Sequence, residues 1–320
     1  MENYTIHRLE KENFDVLIPL MQDCFGMQVD ITYFKWKYID NPDGFVRGYY
    51  AKSSTNDIAA YYGVIPQKIS YFGEEKLIFQ SCDTMTHSEH RRKGLFQLLA
   101  KHCYRELELE NQLFIVGFGG SESTPGFLKF GWKHLFNCKN LFYPTFFKHF
   151  ILKNNNYTIT EYSIHDVKRI KHLIESDTTN SINTKRTIEK YAWRLKNPLH
   201  NYKILTSHNN HSLPTSYLVY SVSKETIQLF DYHFLDKKEA KGLIHSVLEK
   251  EKKIKGILAF GQENGLWCKT LQKIGFISNP LKKGPLSFKT PFITYTNQDD
   301  YKAIKSSEKW NVSPFDHDSL

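Results

Sequence analysis

The stretch Phe79-Gln80-Ser81-Cys82-Asp83-Thr84-Met85-Thr86-His87-Ser88-Glu89-His90-Arg91-Arg92-Lys93-Gly94-Leu95-Phe96 decides how the rest of the chain is read. Leu77 to Thr86 reads as a strand. A helix follows from Gly94 to Glu110, with Leu95, Leu98, Leu99, Cys103 and Leu107 on one face at the 3.6-residue period. The start of a helix leaves backbone N–H groups without partners and carries the positive end of the helix dipole, so it receives anions. Gly94 lets a ligand approach the backbone without meeting a Cβ. Arg91, Arg92 and Lys93 place positive charge around the same point. Strand, basic turn and helix together make a holder for a pyrophosphate.

After this segment the pattern continues as a strand, Leu113 to Phe118, and a short helix, Thr124 to Phe130. The same order returns in the second half as Ile227 to Phe234, Lys237 to Glu251, Gly256 to Phe260 and Leu266 to Ile274. The second long helix places Ala240, Leu243, Ile244, Val247 and Leu248 on one face. Short echoes tie the halves together. Asn3-Tyr4-Thr5-Ile6 recurs as Asn156-Tyr157-Thr158-Ile159, and Trp36-Lys37-Tyr38-Ile39-Asp40-Asn41-Pro42 as Trp193-Arg194-Leu195-Lys196-Asn197-Pro198. Leu128-Lys129-Phe130-Gly131-Trp132 recurs as Gln272-Lys273-Ile274-Gly275-Phe276. Three echoes in one order point to a duplication. Amphipathic stretches follow the first echo in each copy, at Phe14, Leu17, Leu20, Met21 and Cys24, then at Val167, Ile170, Leu173 and Ile174. The polar run Lys153-Asn154-Asn155-Asn156 sets a boundary near Ile151 to Asn156. The expected organisation is residues 1–150, residues 151–296 and a polar tail at 297–320, which Trp310 and Phe315 could order or which could fray.

The 320 residues suffice for two domains, and 23 Phe with 19 Tyr supply a core. No apolar run approaches the ~20 residues that cross a bilayer. Leu141 to Leu152, the most lipid-like segment, is broken by Lys148 and His149, and the N-terminus has no signal-peptide pattern, so a cytoplasmic location without membrane contact is expected. Cys24, Cys82, Cys103, Cys138 and Cys268 lie far apart, which fits free thiols rather than a disulfide framework or a metal site. The net charge of +9 suits anionic partners but does not separate a nucleotide cofactor from nucleic acid.

Arg91 and Gly94 resemble the acetyl-CoA signature of the GNAT N-acetyltransferases, Arg/Gln-x-x-Gly-x-Gly/Ala, and Phe96 departs from its last position. Phe127-Leu128-Lys129-Phe130-Gly131-Trp132 is similar to the ending of that family's short helix. The resemblance implies an α/β fold of two GNAT-like domains, each a mixed, largely antiparallel central sheet flanked by helices. It implies acetyl-CoA as co-substrate, with no metal, held by Met85, Thr86, Arg91, Arg92, Lys93, Gly94, Leu95 and Phe96. An oxyanion donor would be the N–H near Met85 or Thr86. The second copy keeps the fold without the loop: Asp83 to Gly131 spans 48 positions but Asp231 to Gly275 only 44, and Phe234-Leu235-Asp236-Lys237 runs straight into its helix. Only the first half should bind CoA.

The implied reaction is attack of an amine on the thioester, the acceptor being a small-molecule primary amine such as an amino sugar. Strand alternation puts Asp83, Met85 and His87 on one face and Thr84 and Thr86 on the other. Asp83 or His87 is the candidate base, although each also reads as a polar residue at a strand end. Glu122 follows the next strand near the expected thioester, and with Ser121 and Ser123 it also reads as a helix cap. The family's acid is often a tyrosine in the following helix. Thr124 to Gly131 contains none, which leaves Ser121, Ser123, a second-half residue or water. A non-catalytic acyl-CoA-binding or regulatory module and a protein or peptide N-acetyltransferase are the alternatives. Nucleic-acid binding ranks below both, and a monomer or homodimer is expected. Val116-Gly117-Phe118-Gly119-Gly120 lacks the remaining features of a dinucleotide loop. The aromatics Phe142-Tyr143 and Phe146-Phe147 read as packing rather than as base-stacking platforms.

Overall fold

The computed structural model describes residues 3–146, 158–176, 181–208, 213–251, 253–281 and 283–318. The expected connector at 151–156 and Phe147 lie outside them. The first half runs β1 (Thr5–Arg8), α1 (Ile18–Phe25), α2 (Ile31–Phe34), β2 (Arg47–Lys52), β3 (Ile58–Tyr71), β4 (Glu74–Thr86), α3 (Leu95–Leu109), β5 (Phe114–Phe118), α4 (Thr124–Lys129) and β6 (Lys133–Pro144). The second half repeats that order with one strand added between its first two helices. It runs β7 (Thr158–Tyr162), α5 (Lys171–Ile174), β8 (Ile182–Thr184), α6 (Ile188–Arg194), β9 (Lys203–His208), β10 (Ser216–Ser223), β11 (Thr226–His233), α7 (Lys237–Lys250), β12 (Gly256–Gln262), α8 (Leu266–Ile274) and β13 (Lys289–Thr296). A last helix, α9 (Gln298–Ile304), opens the tail.

One sheet joins the halves in the order β1-β2-β3-β4-β5-β13-β6-β12-β11-β10-β9-β7, with β8 pairing β3 off that path. Among the strands of the described residues, the equivalent pairs β4–β5 and β11–β12 are parallel and the other pairings antiparallel. The central strands are exchanged. Strand β6, which follows α4, pairs with β12, while β13, which follows α8, crosses back to lie between β5 and β6. The halves therefore share a continuous ladder of main-chain hydrogen bonds, which leaves no exposed sheet edge between them.

The echoed tryptophans meet across the halves. Trp36 and Trp193 stack with ring centroids 5.1 Å apart. The Trp36 indole N–H donates to the Trp193 carbonyl at 2.8 Å, and the Trp193 indole N–H to the Trp36 carbonyl at 2.7 Å. The third echo is a pair of helix stops: Gly131 (φ 96°) and Gly275 (φ 118°) adopt the left-handed conformation that ends α4 and α8.

Helix α3 buries Leu95, Leu99, Ala100, Cys103, Tyr104 and Leu107. Leu98, expected on that face, is 41% exposed instead. The buried stripe is centred on the i, i+4 row 95-99-103-107, and Leu98 falls at its edge. Helix α7 buries all five expected apolar residues. In its described residues the tail is packed: Trp310 lies against Phe136 and Phe292, and Phe315 against Tyr191, Tyr202 and Phe230. Tyr143 is buried against Phe276, as packing requires, whereas Phe146 is exposed.

Candidate functional site

Strands β4 and β5 pair only at Phe79–Ile115 and Gln80–Val116 and then part. Beyond that point β4 stays on β3 and β5 turns to β13, leaving a gap between the two strand ends. A bulge shapes one rim. Asp83 has φ 45°, and the register against β3 slips between Tyr61 and Gly63. Cys82 and Met85 consequently enter the same core cluster, which strict alternation over three positions forbids, so the expected Asp83–Met85–His87 face is broken.

The loop ends the gap. Ser88–His90 form a short 3-10 turn, Arg92 takes φ 63° and Gly94 φ 75°, and α3 then begins with no side-chain cap. Its first-turn N–H groups therefore receive no side chain from the cap residue. Arg91, Arg92 and Lys93 are exposed around them, with the Arg91 Nε donating to the Thr86 carbonyl at 3.4 Å. Met85 and Leu95 are buried, so any contact they make with a cofactor is through the backbone. Phe96 turns away from the loop, packing edge-on against Phe127 at 4.9 Å and lying 6.0 Å from Phe130 and 5.8 Å from Tyr62. Where the resembled pattern has a small residue, this chain uses the ring to fill the space between α3 and α4.

The four candidate catalytic residues are not brought together as one group. Asp83 is deep: its carboxylate accepts from the Lys37 ammonium at 2.9 Å and the Tyr38 hydroxyl at 2.8 Å. His87 accepts from the Glu89 N–H and lies 3.6 Å from Asp23, which itself accepts from Ser88, so it fastens the loop to α1. Glu122 is exposed. The Ser123 hydroxyl accepts the Gly120 N–H at 3.2 Å and shapes the turn before α4.

Sequence reasoning missed the partners of Asp83. Lys37, fully buried, also donates to Tyr33 and, at 3.0 Å, to Asp318 of the tail. Burial works against its charge, but Asp83, Tyr33 and Asp318 outweigh it and hold the ammonium well above its ordinary value. The neighbouring His317 ring lies 4.3 Å from Phe118, the last residue of β5, and 5.7 Å from Phe260. Its carbonyl accepts from the Arg194 guanidinium. Burial, together with Arg194 and Lys37, pulls His317 down to about 4. One signal was available: Lys37 and Arg194 each follow an echoed tryptophan. Nothing in the tail pattern marked His317 or Asp318.

The second half shows the counterpart without the loop. Asp236 caps α7, its carboxylate accepting from the Lys238 and Glu239 N–H groups at 2.7 and 2.8 Å. Asp231, the equivalent of Asp83, accepts from Arg186, Tyr191 and Tyr217 at 2.8 to 2.9 Å. Beside it lies a cavity of about 510 Å³ lined by Arg186, Tyr217, His233, Trp267 and, from the tail, Asn311 and Asp316. Among the described residues no group of His, Cys, Asp and Glu is placed to hold a metal, and no helix is long and apolar enough to cross a membrane.

Residues 5–135 match the model of the acetyltransferase (GNAT) domain. Over those residues the chain is similar to the GNAT family. No curated protein matches the chain. Among solved structures, a conserved protein of Enterococcus faecalis described as a probable N-acyltransferase superposes with a TM-score of 0.71 at 12% identity, covering 92% of this chain and 73% of that one. A tandem GNAT protein from the clavulanic acid biosynthesis pathway gives 0.62 at 8% identity, covering 92% and 98%. The N-myristoyltransferase of Saccharomyces cerevisiae, solved with myristoyl-CoA, gives 0.62 at 12% identity, covering 92% and 79%. At these identities the likeness concerns fold, and the fold is that of GNAT acyltransferases, with a tandem GNAT protein among the matches.

Proposed function

We propose that this GNAT protein transfers an acetyl group from acetyl-CoA to a primary amine of a small molecule, an amino sugar being the first acceptor to try. The observation that carries the reading is the uncapped N-terminus of α3 at Gly94, ringed by Arg91, Arg92 and Lys93 and opening on the gap between β4 and β5. The pyrophosphate would rest on the first-turn N–H groups, and the pantetheine arm would enter the gap. Met85 or Thr86 would supply the N–H that holds the developing oxyanion. Residues 1–150 serve as the acetyl-CoA-binding unit, while residues 151–296 wall the acceptor cleft. Five free cysteines suit the cytoplasm.

The protein's contribution is mainly positional, bringing amine and thioester together in a site partly screened from water. Thiol release from acetyl-CoA in the presence of primary amines measures it. Gly94→Glu, which puts a carboxylate and a Cβ at a left-handed position facing the phosphates, abolishes both CoA binding and release while the fold is retained. A variant that bound CoA normally would remove the site from this loop.

A further inference from the structure

We propose that the second half carries a ligand site of its own, a cavity in the gap between β11 and β12 that takes a small hydroxylated amine. It is built from residues outside the CoA-holding loop proposed above. Strands β11 and β12 pair from Thr226–Gly256 to Leu229–Ala259 and then part, as β4 and β5 do; β11 stays on β10 and β12 turns to β6. The cavity of about 510 Å³ lies at that parting and is lined from both faces of the sheet. Trp267 belongs to the core under α7, with Tyr232 and Phe234 packed against it. Tyr217 and Ile174 belong to the core on the opposite face. A volume of this size holds a small molecule rather than a few waters. The tail closes one wall and ties it to the first half, since the Asp316 carbonyl accepts from Gln80 at the last paired level of β4 and β5.

The charge around the cavity favours a cation. Among the described lining residues Glu175, Glu189 and Asp316 are acidic, and Lys185 and Arg186 basic. Arg186 is spent on the fully buried Asp231. Burial pulls His233 down, so it adds no cation at neutral pH. Glu175 accepts the Ile188 N–H and Asp316 accepts from Ser313, each through one oxygen, which leaves the charge of both carboxylates in place. The walls are aromatic as well, and ring faces attract an ammonium. The Tyr217 hydroxyl is fixed by Asp231 and the Tyr232 hydroxyl by the Trp267 carbonyl, so both rings are set before a ligand arrives.

Two buried polar atoms on lining residues have no partner among the described residues. One is the Trp267 indole N–H, on a side chain 5% exposed; the other is the Asn311 side-chain oxygen from the tail. The first is a donor and the second an acceptor, and a hydroxyl can serve either. A carboxylate or phosphate would satisfy only the donor and would meet the acidic rim. A plain alkylamine would satisfy only the acceptor. An amino sugar or amino alcohol answers the charge, the ring faces and both unpaired atoms.

Calorimetry on the full chain without CoA tests the site with glucosamine, glucose and cyclohexylamine. Glucosamine should bind at least about tenfold more tightly than glucose, which lacks the ammonium, or cyclohexylamine, which lacks hydroxyls. Glu175→Gln combined with Glu189→Gln removes two charges at exposed positions and keeps an oxygen for the Ile188 N–H. It should weaken glucosamine about tenfold and leave glucose unchanged. Trp267→Phe keeps a ring without the N–H and should weaken both sugars about fivefold. Gly94→Glu should bind glucosamine as wild type does. Absence of glucosamine binding, binding no tighter than that of glucose, or binding unaltered in both cavity variants overturns the proposal. Should Trp267→Phe unfold, the double glutamine variant decides alone. Glucosamine binding that needs CoA, or that is lost in Gly94→Glu, puts the amine in the first-half cleft and overturns this site while sparing the acetyl-transfer reading. That reading fails separately, on thiol release.

Discussion

Helices α3 and α7 stand at equivalent places in the two halves, yet their N-termini are finished differently. In α7 the Asp236 carboxylate accepts the Lys238 and Glu239 N–H groups, so an internal anion satisfies the helix end. In α3 the cap is Gly94, which brings no side chain, and the preceding loop brings three cations instead. The same backbone need is met by a side-chain cap in one copy and has no side-chain cap in the other. On the acetyl-CoA reading proposed above, a duplicated fold loses a cofactor site through a few residues before a helix, with no change in the sheet behind it. The buried carboxylates show the reverse: Asp83 and Asp231 are both kept and both paired with a cation, because a charge placed there must be neutralised whatever the half does.

That last equivalence gives the largest expected effects. Lys37→Met leaves Asp83 and Asp318 buried without their cation, and Arg186→Met does the same to Asp231; each should cost about 3–5 kcal/mol in chemical denaturation. Marked inequality between them would show that one half dominates the fold.

The pH dependence comes next. The ordinary histidine value of 6.5 falls to about 4 in folded His317. The unfolded chain then binds the extra proton first on acidification. The contribution to stability is full above about pH 6.5 and is lost as pH falls from there towards 4, about 3 kcal/mol in all. His200 in the second half is also lowered to about 4, by burial and Arg194. Thermal melts from pH 7 to 4 should steepen for wild type and flatten in His317→Phe.

For ligand binding only the start of α3 should respond. Gly94→Glu should weaken CoA binding at least 100-fold, about 2.7 kcal/mol by calorimetry. Lys237→Gln, a loss of one positive charge at the start of α7, should leave CoA binding unaltered. Loss of binding in both would place CoA somewhere other than α3. The smallest effect belongs to Asp236→Ala, which should cost about 1 kcal/mol of stability for the lost cap without creating a CoA site.

Much of this comparison was legible in the chain. The loop and α3, the stripe of α7, the glycine stops at Gly131 and Gly275 and the echoed tryptophans are all local patterns, and a local pattern survives in any context that buries one face. Leu98 and the Asp83 bulge were misread for a related reason. Periodicity gives the direction of a side chain only while the backbone stays regular and the buried stripe is centred where expected.

The sequence by itself determined the echoed segments, the α/β order of each half and the basic glycine start of α3, since each is a local pattern of residues within about twenty positions of one another. Only the tertiary structure decided the exchange of β6 and β13 and the passage of the tail across the gap. Strand pairing between residues as distant as Phe118 and Phe292 uses main-chain groups that every residue carries, so it leaves no mark in composition. The Lys37–Asp83–Asp318 cluster likewise joins three distant segments, and its charges read as ordinary surface residues until the fold buries them together.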